Sequence, residues 1–298
     1  MKILVTGSSG FIGSKVVDKL KEQKLEVIPF DIITGQDLND TEQVNEAVFL
    51  SDIILHLAAQ ADLNEFDKKP AQGMNLNVAC TERLARYCAK HKKHLIYIST
   101  CCVYGNQEEL TTEKTLPNPS EIYAHSKLAG EHIIKGYGKN FKMPWTIIRV
   151  PTTHGEGMRS ALAIRKFFEQ AMKGEDITVH GDGLQTRSLT YIGDVVDAIT
   201  DIVEGTKKYP DRVKNQIFNI NQDNRVISAI GMANDIRRIV QDDTGIRSDI
   251  VHIEQRKGQT FKENISSQKI RYAIGWMPKV DWMDSLIRTY NWIKSLDN

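Results

Sequence analysis

The chain opens on the feature that constrains it most. Residues 2–6, Lys-Ile-Leu-Val-Thr, form a short apolar run that passes directly into Gly7-Ser-Ser-Gly10-Phe11-Ile12-Gly13, and an amphipathic segment of helical length follows to about residue 23. A strand that turns on glycines and continues as a helix is the first half of a strand–helix–strand unit, whose two strands must lie parallel. The pattern then recurs. Apolar runs at 25–31, 52–59, 94–100 and 145–150 alternate with helix-like segments at 40–50, 75–91 and 123–137. Such alternation predicts an α/β fold, with a doubly wound parallel sheet covered by helices on both faces. Pro29 sits awkwardly in the second run if that strand is central, because proline cannot donate to a sheet ladder.

After Val150 the rhythm breaks. A helix is expected at 158–173, then an irregular stretch at 177–194, a helix near 194–204, a short strand Ile-Phe-Asn-Ile at 217–220 and a last helix at 281–295. No repeat, low-complexity segment or Pro/Gly-rich linker separates two domains. A smaller mixed α/β lobe is therefore expected to be interleaved with the first: residues 1–155 and 188–222 in one unit, 156–187 and 223–298 in the other.

Composition excludes several classes of function. The 298 residues carry 39 Lys+Arg against 38 Asp+Glu, a formal charge of +1, which supplies no field for a polyanion such as nucleic acid. No run of 18 apolar residues is present to cross a membrane, and the first ten residues read as strand and turn rather than signal peptide. The four cysteines contain no C-x-x-C pair. Cys80 and Cys88 would lie about 12 Å apart along a helix, too far for a disulfide. This usage fits a reducing cytoplasm. The basic run Lys90-His91-Lys92-Lys93-His94 reads as the positive last turn of a helix, so no metal site is expected.

The glycine turn itself has a chemistry. Gly7 permits a tight turn, Gly10 lets backbone approach a pyrophosphate, and Gly13 lets the helix pack close to the strand with its N-terminus facing the anion. Glycine-rich turns are common, and context gives this one its meaning: the strand is N-terminal, and Asp31 ends the next apolar run. An Asp there accepts the ribose hydroxyls of NAD and repels the 2′-phosphate of NADP. No Lys or Arg lies in the five residues after it. NAD is the expected cofactor, on a Rossmann-type sheet.

Tyr123 and Lys127 stand four apart at the start of an expected helix, on one face and one turn apart. Alone, such a pair is ordinary. A phenol is a poor base near neutral pH unless a neighbouring cation favours its phenolate. The pair follows the glycine turn and a strand ending in Ser99-Thr100. With His56-Leu57-Ala58-Ala59, the segment around Asn77, Ser99-Thr100-Cys101-Cys102-Val103-Tyr104-Gly105 and Ile147-Ile148-Arg149-Val150, the chain resembles the extended short-chain dehydrogenase/reductase family, the NAD-dependent epimerases and dehydratases, over nearly its whole length.

The resemblance implies roles by position. Thr100 would hydrogen-bond the sugar oxygen that exchanges its proton, Tyr123 would be the acid/base, and Lys127 would bind the nicotinamide ribose and lower the tyrosine pKa. Gly7, Gly10, Phe11, Ile12, Gly13, Asp31, Asp37, Leu38, Leu57, Ala58, Ala59, Asn77 and Ser99 would contact NAD, with Asp37-Leu38 near the adenine. Ala58 and Ala59 also read as simple close packing. Arg187, ending Gly181-Asp-Gly-Leu-Gln-Thr-Arg, resembles a diphosphate-binding arginine, as does Arg256 of Arg256-Lys-Gly258. Thr152 stands where many relatives carry a substrate-contacting Asn. The helices near 75–92 and 121–137 resemble those that pair in homodimers.

The residues after Thr100 bear on the reaction. Family dehydratases and decarboxylases carry a Glu there for further acid/base work, and this chain has Cys101 and Cys102. The reading implied is a nucleotide-sugar 4-epimerase: C4 is oxidised with NAD as hydride acceptor, the 4-ketone turns over in the pocket, and it is reduced on its other face. The alternative is a 3,5-epimerase using Cys102, or a dehydratase or other nucleotide-sugar oxidoreductase, although a small residue such as Cys102 reads better as packing. A dinucleotide-sensing binding protein is the non-enzymatic alternative, and the intact Tyr/Lys pair counts against it.

Overall fold

The computed structural model describes residues 1–222, 226–255 and 262–296. Its first part runs β1 (Lys2–Thr6), α1 (Phe11–Glu22), β2 (Glu26–Phe30), α2 (Thr41–Leu50), β3 (Ile53–His56), α3 (Leu63–Lys68), α4 (Pro70–Met74), α5 (Cys80–His91), β4 (His94–Thr100), α6 (Ile122–Phe141) and β5 (Trp145–Val150). Beyond it come β6 (Thr152–His154), α7 (Ala163–Met172), β7 (Ile177–His180), β8 (Thr186–Arg187), β9 (Leu189–Tyr191), α8 (Ile192–Lys208), α9 (Pro210–Val213) and β10 (Gln216–Asn219). The chain closes with β11 (Ile227–Ser228), α10 (Ala229–Thr244), β12 (Ile250–Ile253), α11 (Gln268–Ile274) and α12 (Trp282–Leu296).

Six strands form one sheet in the order β10-β5-β4-β3-β1-β2, and every pairing in it is parallel. The chain first steps outward from β1 to β2, then returns past β1 and builds β3, β4, β5 and β10 on the other side. This reversal between β1 and β3 leaves a crevice at the carboxyl ends of the strands, where doubly wound sheets bind ligands. Pro29 is accommodated because β2 is an edge strand.

Two apolar cores cover the two faces of the sheet. One gathers Ile3, Val5, Ile96 and Ile148 against α1 and α8, and includes Ile270 and Trp276 from the C-terminal region. The other packs Leu4, Ile54, Leu95, Tyr97 and Ile147 against α2, α5 and α6. A third core lies outside the sheet and joins Phe167 and Phe168 of α7, Ile236 of α10, and Trp282, Leu286 and Tyr290 of α12.

Local details depart from the sequence-based expectation. Residues 75–91 are not one regular helix, because Asn75–Ala79 form a π-helical turn ahead of α5. The basic run is divided: Lys90 and His91 end α5, Lys92 adopts a left-handed conformation, and His94 begins β4. The expected helix at 158–173 starts only at Ala163, while α8 is longer than anticipated at both ends. All four cysteines are free thiols. Among the described residues no helix is long and apolar enough to cross a membrane.

Candidate active site

The glycine turn is shaped by close approaches. Gly7 has a φ of +72°, and a Cβ on it would stand 2.6 Å from the Ala58 nitrogen. A Cβ on Gly13 would stand 2.0 Å from the Gly7 carbonyl oxygen. Only bare backbone lets the end of β1, the segment after β3 and the first turn of α1 lie this close. The amino end of α1 therefore opens at the crevice, with no acidic residue in its first turn to oppose an anion. Asp31 hangs over the same turn. Its Oδ2 accepts the Ser9 N–H at 2.9 Å and its Oδ1 accepts the Ile33 N–H at 3.0 Å, so each oxygen retains a lone pair for a further donor.

A cleft of about 480 Å³ runs from this turn across the ends of β3, β4 and β5. Gly7, Gly10, Phe11, Ile12, Gly13, Leu57, Ala59, Ser99, Thr100, Tyr123, Lys127 and Thr152 all line it. Residues more than 140 positions apart in the chain thus meet on one surface. Asp31, Asp37, Leu38, Ala58, Asn77 and Arg187 lie outside that lining. Leu38 is buried in the core under α2, and Asp37 accepts hydrogen bonds from Asn39. Asn77 is buried, accepts the Gln60 N–H and donates to the Gln60 carbonyl and the Ser126 hydroxyl. It braces the cleft-lining segment after β3 against α6. Arg256 lies outside the described residues.

Tyr123 enters from the first turn of α6 and meets Phe66 edge-on, with ring centroids 6.2 Å apart. Burial raises its phenol pKa, as does Cys102, while the Thr100 hydroxyl and the Arg159 guanidinium act in the opposite sense. Thr100 ends β4, and its Oγ1 accepts the Cys102 N–H at 3.2 Å, which turns the chain away from the sheet. One helical turn below Tyr123, Lys127 is buried, and burial depresses its pKa to about 7 against the opposing pull of Glu131. The stripe continues one more turn. Glu131 accepts a hydrogen bond from Ser99 at 2.6 Å and forms a two-point ion pair with Arg149, at 2.9 and 2.6 Å, with both partners buried. Helix α6 is thereby fastened to β4 and β5 one turn beyond Lys127.

His56, at the end of β3, is neutral. Thr81 donates to the Asn77 carbonyl, so it accepts from Nε2–H of His56, and Nδ1 accepts from Thr6; the tautomer is assigned from this network. Burial and the Lys127 charge hold its pKa down to about 3. Both cysteines after Thr100 are thiols rather than thiolates. Cys101 is buried and donates to the Arg149 carbonyl, and burial together with Glu263 pushes Cys102 up to about 12.

Arg187 sits on β8 with its guanidinium donating to the Thr186 carbonyl, and its charge acts on both Cys102 and Glu263. The sequence pattern did not single out the pair Asp62 and Arg159, which faces the cleft from opposite sides. Asp62 Oδ1 caps α3, while Oδ2 receives the Arg159 guanidinium at 3.0 Å. The capping half was readable in Asp62-Leu-Asn-Glu65. The ion pair joins residues 97 apart and leaves no local signature. Glu131 extends the spacing of four from Tyr123 and Lys127 and could have been found that way.

Comparison with known proteins identifies the family. The chain is 27% identical over 314 residues to a putative UDP-glucose 4-epimerase of Methanocaldococcus jannaschii, covering 98% of each. It is 27% identical over 325 residues to the dTDP-D-glucose 4,6-dehydratase of Homo sapiens, covering 98% of this chain and 90% of that one. Its fold superposes with a TM-score of 0.88, at 28% identity, on the UDP-glucuronic acid 4-epimerase of Bacillus cereus crystallised with UDP-glucuronic acid and NAD, over 99% of this chain and all of that one. The NAD dependent epimerase/dehydratase family model matches residues 3–220, and the chain belongs to that family.

Proposed function

We propose that this protein is an NAD-dependent nucleotide-sugar 4-epimerase, with a UDP-sugar as substrate. The observation that carries this reading is the composition of the cleft: it gathers Thr100, Tyr123 and Lys127, and the one carboxylate in its described lining is Asp62, which is held by Arg159. Dehydration or decarboxylation needs a further acid or base at the sugar, and Asp62 is already committed. The second reading, a 3,5-epimerase using Cys102, requires a thiolate. Burial and the nearby Glu263 favour the neutral thiol.

The cleft fits NAD. The amino end of α1 would hold the pyrophosphate, Asp31 the adenosine ribose, and Lys127 the nicotinamide ribose. Bound NAD supplies the hydride acceptor and donor at C4. Tyr123, in its deprotonated form, takes the proton of the C4 hydroxyl, and Thr100 holds that oxygen within reach. Lys127, protonated below Tyr123, stabilises the phenolate. When the ketone turns its other face, Tyr123 returns the proton to the same oxygen. Arg187, together with Arg256, is assigned to the substrate diphosphate, where a planar guanidinium matches phosphate oxygens. In this reading residues 1–155 and 188–222 bind the cofactor, and 156–187 with 223–298 bind the nucleotide sugar. A homodimer through α5 and α6 belongs to the same proposal.

The test is turnover of UDP-, dTDP-, GDP- and CDP-sugars in deuterated water. A product inverted at C4 with no solvent deuterium on carbon is expected. Deuterium at C3 or C5, or loss of water or carbon dioxide, would overturn the assignment in favour of the other chemistries.

A further inference from the structure

The amine of Lys127 is buried, at 3% exposure, and its position has to be explained by what surrounds it. Glu131, on its own helix, has its carboxylate engaged by Ser99 and Arg149. His56, on β3, is neutral. The contact that the ammonium makes is with Tyr97 of β4: Nζ lies 4.1 Å from the centroid of that ring. Tyr97 is completely buried, and its hydroxyl has no hydrogen-bond partner among the described residues. The ring is also fixed from behind. A Cβ on Gly130 would stand 2.5 Å from the Tyr97 hydroxyl oxygen, so this glycine of α6 makes room for it, and the His56 ring lies 5.6 Å away on the other strand.

We propose that Tyr97 is a positioning residue of the active site, whose ring face holds the protonated ammonium of Lys127 at the floor of the cleft. The electron-rich face of an aromatic ring attracts a desolvated cation, and a phenylalanine ring does so nearly as well. The proposal rests on the reading of Lys127 as the ammonium acting beside Tyr123. The charged and titratable groups around Lys127 are Tyr123 and Glu131 on α6, Tyr97 on β4, His56 on β3 and Arg149 on β5. With Glu131 and Arg149 paired and His56 neutral above about pH 3, Lys127 and Tyr123 are left to set the limbs of a pH profile.

The experiment compares NAD-loaded wild type, Tyr97→Phe and Tyr97→Leu, each labelled with ¹³Cε-lysine. The Lys127 resonance is assigned by its absence from Lys127→Arg. Ring current should move the Lys127 ε-protons upfield in wild type and Tyr97→Phe, and that displacement should vanish in Tyr97→Leu. The Lys127 titration midpoint should fall by about one unit in Tyr97→Leu and stay put in Tyr97→Phe. The plateau of kcat/KM should fall with it by about tenfold, since the working pair is deprotonated Tyr123 beside protonated Lys127. An unshifted wild-type resonance, or one midpoint shared by all three proteins, would overturn the proposal, and so would Tyr97→Phe behaving like Tyr97→Leu. Should Tyr97→Leu not fold, Tyr97→Met makes the same comparison with a longer apolar side chain. Wild type that turns over no nucleotide sugar would count against the epimerase reading alone, since the lysine titration is read without substrate.

Discussion

At the scale of the residue, Tyr123 and Lys127 are ordinary side chains whose surroundings work against their charged forms. Burial raises the Tyr123 pKa and lowers that of Lys127. Tyr123→Phe keeps the ring and its contact with Phe66 but removes the proton carrier. Turnover of the substrate found in the sugar panel should fall by about 10³-fold, with NAD affinity within a few-fold of wild type, measured by calorimetry. Unchanged turnover would remove Tyr123 from the mechanism. The helical spacing of Tyr123 and Lys127 and the strand end at Thr100 were legible in the sequence, whereas the roles given to them come from the family resemblance. Asn77, expected at the cofactor from the resemblance, lies outside the cleft lining, and its hydrogen bonds to Gln60 and Ser126 depend on two segments that only folding brings beside it.

At the scale of the element, helix α1 and helix α6 are each positioned by one contact that tolerates little change. Gly13→Ala would put a Cβ 2.0 Å from the Gly7 carbonyl oxygen, which requires α1 to withdraw from β1. We expect a loss of about 1–3 kcal/mol in denaturant unfolding and weaker NAD binding, since the displaced helix end is the one proposed to hold the pyrophosphate. An Ala variant that binds NAD as wild type does would show that the close approach is dispensable. Helix α6 is fastened by the Glu131–Arg149 pair, which is buried on both sides. Glu131→Ala leaves the Arg149 charge in the core without its counter-ion, and about 3–5 kcal/mol of stability should be lost. A fall in the thermal midpoint of only a degree or so would contradict this. The glycine signature announced the first contact through backbone sterics. The second follows from the register of β4 and β5, which pairs Ser99 with Arg149 across the ladder and cannot be read from either strand alone.

At the scale of the molecule, the sheet order creates the crevice, and two buried histidines decide how the fold responds to acid. His56 and His154 are buried and neutral, with pKa values held down to about 3, chiefly by burial. The unfolded chain takes up their protons near pH 6.5 and the native state only near pH 3. Stability should therefore drop as pH falls through that window, by about 1.4 kcal/mol per unit for each histidine. Lys127 acts in the same sense at higher pH: its native pKa near 7 against an ordinary 10.5 makes the cofactor-free protein gain stability as pH rises between those values. Thermal midpoints of the cofactor-free protein from pH 4 to 9 check both, and a flat profile below pH 6.5 would refute the histidine account. The sequence by itself determined the alternation of strands and helices, the glycine turn, the Asp31 carboxylate and the Tyr–Lys stripe, because each is a demand of local backbone geometry or helical period. Only the tertiary structure decided that Pro29 lies on an edge, that Asp62 meets Arg159 across the cleft, and that Lys127 rests on the ring of Tyr97. Those contacts depend on which strands become neighbours, and residues brought together by sheet order need keep no fixed spacing along the chain.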